Sequence, residues 1–217
     1  MEIYEAMRCA PTTRRFKPDP VPGKALMRAL DAARFAPSGG NRQGWRVIVV
    51  QDAERRAALR ELYLPGWREY MQQTGGALVL AEPDSFDANI VRNLQRADEY
   101  ANRLDRVPVH LIVGVCLEDL AVTDVKLPRQ SIVGGASVYP FVQNLLLALR
   151  AEALGAALTT LLVPAEAEVK RLLEIPDGVA LAAHIGVGDR IDPWPAQLAR
   201  KPVGDFAFAE RYGDPFS

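Results

Sequence analysis

Three short segments of the chain carry side chains suited to a flat ligand that ends in a phosphate. Thr12-Thr13-Arg14-Arg15-Phe16-Lys17 sets two guanidinium groups directly after two hydroxyls, next to Pro11. Hydroxyls and backbone amides donate hydrogen bonds to a phosphate monoester, and an arginine adds a charge-assisted bidentate pair. Ala36-Pro37-Ser38-Gly39-Gly40-Asn41-Arg42-Gln43-Gly44-Trp45 lies between a helical pattern and an apolar run. Its glycines let backbone approach a ligand closely. Ser38, Asn41 and Gln43 then offer donors and acceptors in a short arc, which suits the edge of a planar heterocycle. Gln197-Leu198-Ala199-Arg200-Lys201-Pro202 carries a basic pair able to close a phosphate site begun by Arg14. Each segment also has a plainer reading: solvated surface arginines, an ordinary helix-to-strand turn, and a solvent-facing charge run. The residue types alone leave both readings open.

Other chemistries lack their residues. The chain has two histidines, His110 and His184, each inside an apolar strand pattern where a core position is the simpler reading. No Ser-His-Asp set, no His or Cys cluster and no P-loop spacing is present. Two cysteines, Cys9 and Cys116, make neither a disulfide framework nor a metal cage. An enzyme built this way leaves the hard chemistry to a cofactor. The balance of 26 Lys+Arg against 27 Asp+Glu argues against a nucleic-acid binder and against a polybasic membrane-surface module. No apolar run is long enough for a membrane span: Ile132 to Leu149 is interrupted by Tyr139, Pro140, Gln143 and Asn144. The start of the chain does not read as a secretory signal, so the expected compartment is the cytosol.

The elements that must position these segments follow from periodicity and from the prolines. Glu2 to Arg8 reads as a first helix, and Lys17 to Pro22 as a stiff connector, because three prolines disfavour helix. Leu26, Leu30, Ala33 and Phe35 have helical spacing up to Pro37. Trp45–Val50, Val107–Val115, Ala157–Val163 and Val179–Val187 read as buried strands. Glu54–Leu64 and Arg68–Gln73 read as two surface helices, Asp84–Arg106 as mostly helical, Leu120–Arg129 as a covering loop and Pro164–Leu173 as a helix. Gly134–Leu154 reads as a long helix with apolar residues over more than half its circumference. Such a helix is buried from nearly all sides, which in a chain this short suggests a partner subunit; a central helix within one subunit is the plainer reading. The tail from Asp189 is expected to run extended along a surface. Without regular βα alternation the class is α+β, one domain over residues 1–217.

The order and spacing of these motifs are similar to those of the nitroreductase family of FMN-dependent oxidoreductases. The resemblance rests on Arg14-x-Phe16 with its Pro-Val-Pro follower, on Ala36 to Trp45, and on the Pro-led strand at Pro108. It rests further on Gln143-Asn144-Leu145-Leu146-Leu147-Ala148, on Leu154-Gly155 and on Arg200-Lys201-Pro202. It runs from about residue 2 to 204, and Pro37 to Trp45 is its most specific part.

The resemblance implies a mixed central sheet flanked by helices, in an intertwined homodimer with a long buried interface helix and two FMN sites between the subunits. It implies that Thr12 and Arg14 lie at the phosphate and ribityl end, with Arg200 or Lys201 closing on the phosphate. Pro37, Ser38, Gly39, Asn41 and Gln43 are then expected along the ring and ribityl chain, partly from the neighbouring subunit. Leu158, Thr159 and Thr160 are expected to approach the flavin from below. No side chain is assigned a catalytic role. NADH or NADPH is the implied hydride donor, delivering to flavin N5, and small aromatic or quinone-like acceptors follow in a ping-pong cycle. Trp67, Tyr70, Met71 and Phe86 are candidates to stack on such an acceptor or simply to pack. The alternatives are a flavin-binding storage or sensor protein, a relative that uses oxygen to modify flavin, and an interaction domain without cofactor. Two positions depart from the family pattern: its Arg-Arg-Ser is Ala10-Pro11-Thr12 here, and its Gln-Pro-Trp is Gln43-Gly44-Trp45. The first removes a phosphate-binding arginine, so either Arg8 substitutes from the preceding turn or cofactor affinity is lower. The second loosens the turn before the strand.

Overall fold

Four runs of β-branched and small apolar residues pair into one sheet, β1 (Trp45–Val50), β2 (Val109–Cys116), β3 (Leu154–Thr159) and β4 (Val179–Asp189), in the order β1-β2-β4-β3. The computed structural model describes residues 1–216. All three strand pairs are antiparallel, with Ile48 opposite Ile112, Ile112 opposite His184 and Thr159 opposite His184. The expected mixed character is reduced to a single parallel bridge, Thr12 to Ala156, where the N-terminal segment runs along β3.

Side chains alternate across the strands, so the sheet divides the core in two. Val109, Leu111, Val113 and Val115 of β2 face α2 (Gly23–Ala33) and α6 (Tyr139–Ala151). Ile112 and Leu181 face the other way, toward α3 (Ala53–Gln73), α5 (Ala88–Asn102) and α7 (Glu166–Leu173). Two further helices complete the chain: α1 (Ile3–Cys9), which packs on α6, and α4 (Gly76–Ala81), which packs on α3 and α5.

Several boundaries differ from the sequence expectation for identifiable reasons. The two helices expected at 54–64 and 68–73 are one helix, α3, with Pro65 inside it. Pro65 removes one internal hydrogen bond, yet Leu59, Tyr63, Leu64, Trp67 and Met71 are buried along one side and hold the helix across the defect. Gly66 matters here: a Cβ at that position would stand 2.8 Å from the Leu161 carbonyl oxygen, so glycine lets α3 lie close to the exit of β3. The long helix begins at Tyr139 rather than Gly134, because Val133–Ser137 is a tight 3-10 turn and Pro140 favours the first helical turn. It ends at Ala151, before Ala153 at φ 60°. Strand β3 follows that reversal immediately and covers Leu154–Thr159, three residues earlier than expected. Phe141, Val142, Leu145, Leu147 and Leu149 of α6 are buried within one subunit, by α1, α2 and β3. This matches the central-helix reading of its apolar circumference. The tail crosses the N-terminal segment, with Ile191 N–H donating to Arg15 and Leu198 N–H donating to Arg8.

Candidate functional site

The N-terminal segment is fastened to the outer edge of β3. Thr13 N–H donates to the Ala156 carbonyl at 2.8 Å, and Lys17 N–H donates to Asp189 at 2.8 Å. Thr13 is fully buried against Gly155, and its Oγ1 accepts a hydrogen bond from Arg190 Nη1 at 3.0 Å. In an extended segment neighbours alternate sides, so burial of Thr13 turns Thr12 and Arg14 outward. Both line a cavity of about 250 Å³ with Leu158, Thr159 and Thr160 at the end of β3. Tyr63, Trp67 and Tyr70 of α3 form its aromatic wall. Trp67 is oriented by its Nε1, which donates to Asp98 at 2.8 Å. Thr159 Oγ1 accepts from Leu161 N–H and lies 3.5 Å from the Tyr63 hydroxyl. Burial raises the Tyr63 phenol above its ordinary value and keeps it protonated.

Thr12 and Leu158 also line a second cavity of about 430 Å³ beside the C-terminal half of α6. Arg200 reaches it from the tail and Arg150 from α6, beside Trp194. Neither Arg14 nor Arg200 meets a carboxylate among the described residues; Arg200 donates only to the Ala199 carbonyl. Lys201 is exposed and lines neither cavity. Arg190 is pulled below its ordinary value by burial, with Arg96 and Arg150 adding repulsion. The surroundings of Thr12 are therefore cationic, polar and open, and they suit an anion.

The turn at 37–43 is built separately. Pro37 leads into Ser38, whose Oγ accepts from Gln43 N–H at 3.0 Å, while Gly39 N–H donates to Ser137 Oγ at 3.0 Å. Gln43 Nε2 donates to Asn41 Oδ1 at 3.2 Å. Asn41 and Gln43 have φ of 55° and 51°, a region that non-glycine residues occupy at a cost of about 1–3 kcal/mol each. Gly44 packs on Asp119, where a Cβ would come within 2.6 Å of the aspartate Cβ. This turn leads into β1, whereas Thr12, Arg14 and Leu158–Thr160 sit at β3. Three strand spacings of roughly 4.8 Å separate those edges, ~14 Å in all. Within one chain Thr12, Arg14, Leu158, Thr159 and Thr160 share one cavity, Arg200 lines the other together with Thr12 and Leu158, and Pro37–Gln43 line neither.

Arg150, Arg190, Trp194 and Tyr63 escaped the sequence reading. The one available signal was Arg150 itself, a lone charge in Leu145-Leu146-Leu147-Ala148-Leu149-Arg150-Ala151. An arginine in the last turn of a helix is more simply read as a partner of the helix dipole. His110 and His184 line neither cavity; they are buried and bonded to each other, Nδ1 to Nε2 at 2.7 Å. Among the described residues no group of three or more His, Cys, Asp or Glu is placed to hold a metal ion. No helix there is long and apolar enough to cross a membrane.

Comparison with known proteins gives the chain's family and fold. An NADH dehydrogenase of Thermus thermophilus is 50% identical over 48 residues, which span 22% of this chain and only 23% of that protein. A 5,6-dimethylbenzimidazole synthase of Rhodobacter capsulatus is 26% identical over 186 residues, 86% of this chain and 82% of that one. The crystal structure of an iodotyrosine deiodinase bound to FMN and 3-iodo-L-tyrosine has the same fold, with a TM-score of 0.69 at 24% identity over 97% and 98% of the two chains. Residues 11–189 match the model of the Nitroreductase family, which takes in the N-terminal anchor, the Ser38 turn and all four strands. The chain belongs to the nitroreductase family.

Proposed function

We propose that this protein is an FMN-dependent oxidoreductase that takes reducing equivalents from NADH or NADPH and delivers them to small aromatic or quinone-like acceptors. The observation that carries the reading is the set of guanidiniums without carboxylate partners around Thr12, next to a cavity walled by Tyr63, Trp67 and Tyr70. The donor set fits FMN: Thr12, Arg14 and Arg200 hold its phosphate, and Leu158, Thr159 and Thr160 back its ring. FMN held there would supply hydride-transfer chemistry between the nicotinamide and the acceptor, in a ping-pong cycle. The aromatic wall gives a planar acceptor a stacking surface and excludes water from it. The tail helps through Leu198 and Ile191, which tie Arg200 to the N-terminal segment.

The turn at Pro37–Gln43 joins the site from a second copy of the chain. Large apolar side chains lie exposed on α1 (Ile3, Tyr4, Met7), on α2 (Met27), just past its end at Phe35, and at Ile132 and Tyr139, all around α6. Such a surface is more apolar than a lone subunit needs, and a homodimer covers it. We read residues 1–217 as one domain, and two free cysteines fit a cytosolic protein.

Anaerobic stopped-flow mixing of the flavin-loaded protein with NADH and with NADPH tests the reading. Bleaching of the flavin absorbance by at least one of them, then recovery on adding a quinone, is the expected result. Loss of neither absorbance band favours a storage or sensing role. The relationship to the 5,6-dimethylbenzimidazole synthase favours a second reading, in which the flavin itself is modified in the presence of oxygen. Mass analysis of the flavin after aerobic turnover separates it from the first: intact FMN supports the oxidoreductase, a shortened or altered ring the alternative.

A further inference from the structure

Ala10 and Pro11 bring no charge to the second cavity, which they line together with Thr12, Arg150 and Arg200. Arg8, the nearest basic residue upstream, is exposed on α1 and lines neither cavity. Arg150 is different. Its side chain enters the second cavity from the last turn of α6, opposite Ala10, Pro11, Thr12 and Arg200. The residue is 9% exposed, and among the described residues it has no carboxylate partner. Its one hydrogen bond is a long one, from Nε to the Cys9 carbonyl at 3.4 Å, which leaves the terminal nitrogens uncommitted. The guanidinium stacks 3.9 Å from the Trp194 ring centroid, which fixes its plane.

A cation this buried is costly unless an anion answers it. The C-terminal dipole of α6 supplies about half a charge, but it does not explain why the group faces a polar cavity already lined by Arg200. Proximity of Arg190, which lies 5.4 Å from the same Trp194 ring, adds to the positive potential. An arginine at Ala10 or Pro11 would extend into this same space, and its absence leaves room for one arriving from α6.

We infer that Arg150 is a phosphate-binding residue of this protein, taking over from α6 the guanidinium that the N-terminal segment lacks. The inference rests on the FMN reading above. It predicts a discrimination that neither packing nor the helix dipole explains: Arg150 contributes to binding FMN, which has the phosphate, and not riboflavin, which lacks it.

The test is fluorescence titration of flavin-stripped protein with FMN and with riboflavin, for the wild type, Arg150→Met and Arg150→Lys. Thermal melts of the flavin-free forms run alongside. For Arg150→Met the expected result is an FMN affinity lower by about 30- to 100-fold, the size of one lost charge-assisted bidentate contact. Riboflavin affinity and the flavin-free melting temperature stay as in the wild type, and Arg150→Lys recovers part of the FMN affinity. Equal weakening toward both flavins, or none toward FMN, overturns the assignment while leaving the FMN reading intact. Wild-type protein that binds neither flavin overturns both. Should Arg150→Met not fold, Arg150→Lys decides: its FMN affinity must fall and its riboflavin affinity must hold, or the assignment fails.

Discussion

His110 and His184 show what a pair of titratable side chains does when water is withdrawn. They sit on the α3 side of the sheet, stacked with ring centroids 4.9 Å apart, and Tyr63 meets His184 edge-on. The 2.7 Å contact needs one ring to donate and the other to accept, so the two cannot both be protonated. Their outer nitrogens, His110 Nε2 and His184 Nδ1, have no hydrogen-bond partner among the described residues. Burial, with Arg56 nearby, holds His110 down to about 4, and burial beside His110 holds His184 well below its ordinary value. The unfolded chain therefore binds protons that the folded one refuses. Stability from this pair is complete above about pH 6.5 and is lost as pH falls toward 4, on the order of 3 kcal/mol for His110 alone. Urea melts of the wild type across that range are expected to show a falling midpoint, and the double variant His110→Leu, His184→Leu a flatter one. Parallel slopes would show that the pair carries none of the acid sensitivity. Their strand patterns made both histidines legible as core residues, but their partnership was not, since 74 residues separate them.

Among the elements, those set by local composition were readable and those set by tertiary contact were not. Strand β1 falls on Trp45–Val50 as its β-branched run requires, and the prolines of Lys17–Pro22 mark a connector. Continuity of α3 through Pro65 was invisible, because the burial of Leu59, Tyr63 and Trp67 that stabilises it comes from other segments. Strand β3 was read too late, since nothing in Leu154-Gly155-Ala156 is strongly β-forming; its pairing with β4 and the docking of Thr12 and Thr13 decide it. Gly155 is the hinge of that docking. A Cβ there would lie 2.7 Å from Thr13 Cγ2 and 2.8 Å from its Oγ1. Thr13 has little room to yield, pinned by Ala156 on one side and Arg190 on the other. Gly155→Ala is expected to cost about 1–3 kcal/mol by overpacking and to lower Tm by several degrees. The same displacement moves Thr12 and Arg14, so the variant should also leave gel filtration with less flavin per chain. A normal melt with full flavin content would mean that the N-terminal segment adapts freely and does not position the site through Gly155.

At the scale of the whole molecule, the decisive fact is the separation of the β3 cluster from the Ser38–Gln43 turn. The cationic set lies along β3 and the Ser38–Gln43 turn leads into β1, with β2 and β4 between them. The turn's strained φ angles at Asn41 and Gln43 have no evident purpose within a single chain. A two-fold axis through the apolar surface around α6 would give each site one half from each copy. That arrangement makes a quantitative prediction for mixed dimers. Arg14→Ala spoils the phosphate half, and the double substitution Ser38→Ala, Asn41→Ala spoils the turn; each homodimer is expected to retain little FMN. When the two variants are mixed at equal amounts and allowed to exchange subunits, about half of the dimers are mixed, and each holds one site with neither lesion. Flavin retention should then recover to about a quarter of the wild-type level, measured as FMN per chain after gel filtration. If each chain carried its whole site within itself, every site would keep one lesion and mixing would recover nothing, whatever the oligomeric state.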